Sequence, residues 1–454
     1  MKHILTLTCA SVLALSCATD LSAATPTTKQ GDAGLKAQVE MLMKRVNELE
    51  AKEKAIGNLT DKEAVTSGNN LNLKLSGQVN RAVLWHDDGD HSNFVHVDPS
   101  SLASTRFRVE ATGKISEGNM AGGAIELGVR PNAAENIDVH RANDNTAYPK
   151  MRIAEAYFDS KRWGKVTLGH GWTAASCTTR YPDLSNTGAI SSGTSVGHLA
   201  GGTQFVDKTL PSANPAFGAV AANKATTNGG AALTVARVFN DLGNGTGREN
   251  RIQYDTPTYW GTKLAASHVY KGRNDMWDIA LKHASEYMGT KIAFQAAYTH
   301  NLANTSFINA ADTVLPAKYT QWNGAIGTLF PIGLSLLFAT TYRNWNVDRA
   351  RDGKIYYGKV GYQQNFFEAG KTALALDYGH FENMFLNTNS ATNNANIRQD
   401  FVGKTYGAGL VQHIDRIATE LYLSARIYAM DGDSNDNARY KDITMVMSGI
   451  RVKF

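Results

Sequence analysis

From Leu71 to the end of the chain, apolar and polar side chains alternate with a period of two. In residues 105–112, Phe107, Val109 and Ala111 share one face while Arg106, Arg108, Glu110 and Thr112 share the other. Further on, Ile417, Thr419, Leu421, Leu423 and Ile427 oppose Glu420, Tyr422, Ser424, Arg426 and Tyr428. The final run sets Val446, Ser448, Ile450, Val452 and Phe454 together. Successive side chains of a strand point to opposite faces, so this pattern suits a strand with lipid on one side and water on the other. The alternating segments are joined by tight turns at 116–119, 160–163, 256–258, 287–289, 330–333, 367–370 and 413–415. Between them lie longer polar connectors at 86–102, 131–149, 172–248, 271–275, 301–317, 345–353, 382–398 and 431–439. Seven turns alternating with eight loops predict sixteen strands. Short turns at one end and long loops at the other are the signature of a membrane barrel, and an even strand number returns both ends of the barrel to the short-turn side.

The first seventy residues follow other rules. Lys2, an apolar core over 4–18 and the small residues Ser22, Ala23 and Ala24 predict a signal peptide over 1–24. Leu35, Leu42, Leu49 and Ile56 repeat every seven residues with Val39 and Val46 between them, which predicts a coiled-coil helix over 31–58 on the short-turn side. An amphipathic helix lying on a neighbouring surface has the same periodicity. So short a seam becomes stable when another contact, such as a trimeric barrel, raises the local concentration. Residues 59–70, polar and holding Gly68 and adjacent asparagines, read as a linker to a barrel over 71–454. The predicted fold is thus an all-β membrane protein: a sixteen-stranded antiparallel transmembrane β-barrel preceded by a short α-helical coiled coil. Cys9 and Cys17 leave with the signal, so Cys177 has no partner for an internal disulfide.

Composition narrows the class. The chain has 41 Gly and 18 Tyr but only 10 Pro, and a mean hydropathy of −0.31. After the signal, no stretch approaches the roughly 18 consecutive apolar residues of a transmembrane helix. Strands need only half their side chains apolar, which reconciles membrane residence with a polar average. There is no G-x-S-x-G, H-E-x-x-H or phosphate-loop motif to indicate an enzyme. No basic stripe with interleaved aromatics points to nucleic acid.

Ala156-Tyr157-Phe158-Asp159, followed by Trp163-Gly164-Lys165-Val166-Thr167-Leu168-Gly169, resembles the strand–turn–strand before the third loop of general porins of Gram-negative bacteria. Asn250-Arg251-Ile252-Gln253-Tyr254-Asp255-Thr256-Pro257 is similar to the strand after that loop. A terminal Phe, here Phe454, is what the outer-membrane assembly machinery reads in such barrels. The resemblance spans residues 71–454. It implies an outer-membrane location with the N-terminal helix in the periplasm, homotrimers embedded in lipid and lipopolysaccharide, and a third loop folded inward to narrow each pore. Two departures stand out: His170 replaces the usual Arg after Leu168-Gly169, and the loop 172–248 is unusually long. The heptad helix resembles that of trimeric carboxylate-transporting channels.

Strand parity assigns the lumen. A charge on the lipid face at mid-bilayer costs about 2–4 kcal/mol, so the charged face of each strand is predicted to point inward. This selects Arg106, Arg108, Glu110, Lys263, Lys282, Arg343, Glu420, Arg426 and Arg451, with Glu126 and Asp377 among the inward acids. Resemblance to the family's basic wall singles out Arg106 and adds Arg248, Arg251 and His170. The inward basic excess and a formal net charge of +5 predict a weak preference for anions or carboxylates among small hydrophilic solutes. In the first loop Asp87, Asp88 and Asp90, and in the last Asp431 and Asp433, offer oxygen ligands of the kind taken by Ca²⁺ or Mg²⁺; Asp-Gly sequences also serve as ordinary turns. No other cofactor is expected. Competing functional readings are a structural anchor gripping peptidoglycan through the helix and, more remotely, a barrel enzyme.

Overall fold

The computed structural model describes residues 66–67 and 71–454, except 100–102, 145–148, 192, 212–223, 225–231, 240–246, 272–273, 303–305, 309–313, 317, 347–349, 386–400 and 433–438. The signal peptide and the coiled-coil helix expected at the N-terminus lie outside the described residues, as does Asp433.

The barrel strands are β1 (Leu71–Asp87), β2 (Arg106–Ser116), β3 (Asn119–Gly128), β4 (Lys150–Ser160), β5 (Gly164–Trp172), β6 (Arg248–Asp255), β7 (Thr262–Lys271), β8 (Asn274–Tyr287), β9 (Thr290–Asn301), β10 (Tyr319–Leu329), β11 (Leu334–Trp345), β12 (Gly353–Phe367), β13 (Gly370–Glu382), β14 (Val402–Ile414), β15 (Thr419–Asp431) and β16 (Ile443–Lys453). Each pairs antiparallel with the next. The sheet closes where β1 meets β16, from Gln78 opposite Lys453 to Asp87 opposite Thr444. Beyond the paired residues, Phe454 and Gly77 exchange backbone hydrogen bonds of 2.8 and 3.1 Å that extend this seam. The result is the sixteen-stranded closed barrel that turn counting predicts. No described helix is long and apolar enough to cross a membrane.

Burial confirms the parity on the outside. Leu75, Val79, Phe107, Ile125, Phe338, Leu376, Leu421, Leu423, Val446 and Ile450 are exposed outward in a continuous apolar belt. Trp163, Tyr259, Trp260, Tyr287 and Phe367 gather at the short-turn end. Trp277, Trp322, Tyr342, Tyr356, Tyr378 and Tyr406 lie toward the long-loop end. Two aromatic girdles bounding an apolar belt are what a lipid bilayer demands of a barrel, because these rings are amphipathic and rest at the interface.

The inside departs from the simple rule. At the long-loop end the inward positions of β12 to β16 include Ile355, Tyr357, Phe381, Tyr428, Met430, Ile443, Met445 and Met447, all buried. They form one apolar cluster with Ile190, Val196, Leu199, Phe205, Leu233, Val235, Val238 and Phe239 of the third loop. Phe239 anchors it, with ring centroids 5.2 Å from Phe381 and 5.0 Å from Tyr428. A polar inward face is required only where that face meets water. Here the loop covers it, so apolar packing takes over.

Candidate functional site

The described residues of the third loop, 173–247, coat the inner wall along their path. The loop leaves β5 with the Ala174 N–H donating to Ser267 Oγ of β7 at 3.0 Å. Gln295 of β9 donates to Thr178 Oγ1 at 3.1 Å. On β12, Lys359 pairs with Asp183 at 2.9 Å and donates to the Ser191 carbonyl, while Gln363 donates to the Leu184 carbonyl at 3.0 Å. Ser191 Oγ donates to Asp377 of β13 at 2.8 Å, and Tyr428 of β15 donates to the Val196 carbonyl at 2.7 Å. The loop reaches β1 through Thr203, 2.7 Å from His86 Nδ1. It also pairs with the last loop, where Lys441 N–H donates to Val206 O at 3.0 Å. Close approach is possible because inward positions under the loop are glycine: an added Cβ at Gly327, Gly361 or Gly409 would collide with Pro182, Ser185 or Ile190.

Toward the short-turn end, the wall of β1, β2 and β16 with its neighbours stays open to the lumen. A cavity of about 830 Å³ lies between this wall and the loop segment 180–188. Its lining carries six cationic side chains (Arg106, Arg180, Lys291, Lys371, Arg451 and Lys453) against three carboxylates (Asp183, Asp415 and Glu420). Two acids bind the basic groups to the wall. Glu126 accepts from Arg152 at 2.6 Å and lies 3.9 Å from both Arg106 and Arg108. Glu420 is held by Arg451 and Lys453, with His413 at 3.6 Å. Each carboxylate thus faces several cations, so ion pairing leaves positive charge over rather than cancelling it.

The residues selected from sequence divide into groups. Arg106 and Glu420 line the cavity. Arg108 and Glu110 lie beside it as a 3.1 Å pair, each about a third exposed. Lys263 faces inward opposite Lys282 on the neighbouring strand. Arg426 also points inward, but it is buried beneath the loop in a two-pronged pair with Asp377 at 2.6 and 2.8 Å. Arg251 is buried against Glu155 at 2.9 Å and the Gly169 carbonyl at 3.1 Å. Arg248 stacks on Trp172 at 4.0 Å. His170 is placed differently from the expectation: it shares parity with outward Val166 and Leu168 and pairs with Asn250, so the strand register turns it from the lumen. Sequence reasoning passed over Arg152 and Lys371. Arg152 occupies the irregularity where Glu126 and Leu127 pair with Ile153 and Met151, which defeats simple alternation.

The carboxylates singled out for Ca²⁺ or Mg²⁺ already have partners. Asp87 caps the Gly89 N–H at 2.6 Å. Asp88 pairs with Lys224, Asp90 with Lys441, and Asp431 with Lys404 at 3.1 Å. The Asp90–Lys441 pair does join the first and last loops across the β1–β16 seam, as barrel closure predicts.

A model of the Gram-negative porin family matches residues 62–425. This chain belongs to that family. Among solved structures it is similar to an anion-selective porin from Comamonas acidovorans, 16% identical, covering 85% of this chain and 100% of that one with a TM-score of 0.52. OmpF of Salmonella typhi, in complex with daunomycin, is 16% identical and covers 86% and 100% with a TM-score of 0.52. OmpT of Vibrio cholerae is 11% identical and covers 86% and 100% with a TM-score of 0.51. At such identities the likeness is one of fold. No curated protein sequence matches the chain. The porin is therefore an outer-membrane channel protein, with its short turns at the periplasmic end and its long loops outside.

Proposed function

We propose that this porin is a homotrimeric channel for passive diffusion of small hydrophilic solutes, with a preference for anions and small carboxylates. The observation that carries the reading is the excess of cations over carboxylates lining the cavity between the third loop and the β1–β2–β16 wall. Fixed charges in a narrow aqueous passage set which ions partition into it, and low-dielectric walls strengthen their field. A structural neighbour named as anion-selective is consistent with the reading. Trimer formation is supported by the heptad seam Leu35, Leu42, Leu49 and Ile56 and is tested by heat-resistant oligomers on native gels. The anchor reading rests on that same helix: deleting residues 25–68 should leave conduction intact, and loss of cell-wall association would favour an anchor.

Under a KCl gradient in planar bilayers, the purified protein should show a reversal potential of the sign for chloride preference. Arg106→Glu adds an acid beside Glu126 and removes a cavity cation, so the potential should move toward zero or reverse. Cation preference in the unmodified protein would overturn the proposal.

A further inference from the structure

At the outer mouth, three loops converge on a compact donor set that the channel reading does not use. One carboxylate oxygen of Asp88 and one ring nitrogen each of His91 and His140 lie within 4.8 Å of one another. His91 and His140 meet edge to face, with ring centroids 4.7 Å apart. His140 is nine-tenths buried, and its Nε2 finds no hydrogen-bond partner among the described residues. Leaving a buried ring nitrogen unmatched costs free energy, and a second histidine and a carboxylate beside the His140 ring offer the remaining donors for a bound cation. We infer that Asp88, His91 and His140 form a binding site for a divalent transition-metal ion of the zinc class.

The surroundings are built for it. The Asp88 carboxylate is held by the Asp90 and His91 backbone N–H groups at 2.9 and 2.8 Å, both on Oδ1. Asn93 ties the first loop to the second through the Val139 carbonyl at 3.0 Å, and Asp138 accepts the Gln204 N–H of the third loop at 2.8 Å. Two imidazoles with one carboxylate select Zn²⁺ and its neighbours over Ca²⁺ or Mg²⁺, which take oxygen cages. Bonds of about 2.1 Å in a tetrahedral shell put ligand atoms about 3.4 Å apart. The donor atoms, within 4.8 Å of one another, close toward that spacing when the partly exposed His91 ring turns inward.

Lys224 is the competitor. Its ammonium pairs with Asp88 Oδ2, but it also donates to the Gln204 carbonyl at 3.1 Å and lies 3.6 Å from Asp138. Giving up Asp88 leaves it with two acceptors, so a metal ion can displace it without stranding a buried charge. The lysine acts as a tethered resident cation whose removal should favour the metal.

The test is calorimetric titration of the purified full-length porin with ZnCl₂ in detergent, in excess CaCl₂ and MgCl₂. One ion should bind per chain. His91→Ala and His140→Ala should each weaken binding by at least the roughly 10–100-fold that loss of a supporting contact costs. Lys224→Gln should tighten it severalfold, whereas His268→Ala, on β7, should change nothing. Heat-modifiable gel mobility checks that each barrel is folded. His91, half-exposed, provides the readout if His140→Ala perturbs the loops. The proposal is overturned by no Zn²⁺ binding to the parent, by undiminished affinity in the His91→Ala/His140→Ala double variant, or by weaker binding in Lys224→Gln.

Discussion

The position most diagnostic of how the third loop narrows this channel is Gly327, on the inward face of β10. A methyl carbon at that position would lie 2.8 Å from the carbonyl carbon of Pro182 and closer still to its oxygen. Ordinary carbon–carbon contact is about 3.5–4.0 Å, so in Gly327→Ala one backbone must retreat by at least about 1 Å. The barrel strand is fixed on both sides by its ladders to β9 and β11. The loop is held by fewer bonds, so it should be the loop that yields. Neighbouring Asp183 is pinned to Lys359 at 2.9 Å, and Arg180 lines the cavity. Pushing Pro182 off the wall therefore drives a charged segment toward the open passage. Overpacking of this kind costs about 1–3 kcal/mol, which lowers stability while the strand register persists. Single-channel conductance should fall, and the reversal potential should shift as Arg180 moves. Gly358→Ala is the control, because a methyl group there meets nothing within 4 Å. Parent conductance, selectivity and stability in Gly327→Ala, matching the control, would refute the assigned loop path.

Asp377→Leu should destabilise the folded porin by about 3–5 kcal/mol in urea unfolding, since it strands the Arg426 guanidinium in a buried site. Adding Arg426→Leu should recover much of the loss, and a single variant within about 1 kcal/mol of the parent would contradict the pairing. Removing Phe454 deletes two backbone hydrogen bonds to Gly77, each worth about 1 kcal/mol net. The refolded barrel should melt near the parent's temperature. In cells the truncated chain should accumulate as protease-sensitive periplasmic material, and normal surface levels would defeat the targeting role.

The barrel itself was readable because its determinants are local. Period-two alternation, turn residues such as Gly118, Gly289 and Gly370, all at positive φ, and the length contrast between connectors are each visible within a dozen residues. The outward face was readable for the same reason: only lipid touches Leu421, Leu423 or Ile450, so chemistry alone dictates their side. The inward face depends on what else lies in the lumen. Met445 and Met447 break the polar-inside rule because residues some two hundred positions earlier cover them, and no local pattern announces that. Arg426 and Arg251 carry the right charge on the right parity, yet each is buried against an acid whose contact the sequence alone did not reveal. His170 was misplaced by analogy with an arginine, where counting from Leu168 places it outward. The loop's footprint did leave one trace in the sequence: inward glycines at 327, 361 and 409, in strands where a side chain would otherwise fill the pore.

Those glycines divide labour between two parts of the molecule. Where the loop rests, the strands beneath it form a smooth track, and how far the loop leans from that track sets the width of the passage whose walls carry the charges. Permeability can then evolve by exchanging one insert, with the folding, insertion and lipid contacts of the barrel left untouched. A bacterium under pressure to exclude a toxic solute has an inexpensive route in single glycine substitutions along this track. Such alleles should appear as normally expressed porins with reduced uptake, distinct from the null alleles that abolish the barrel.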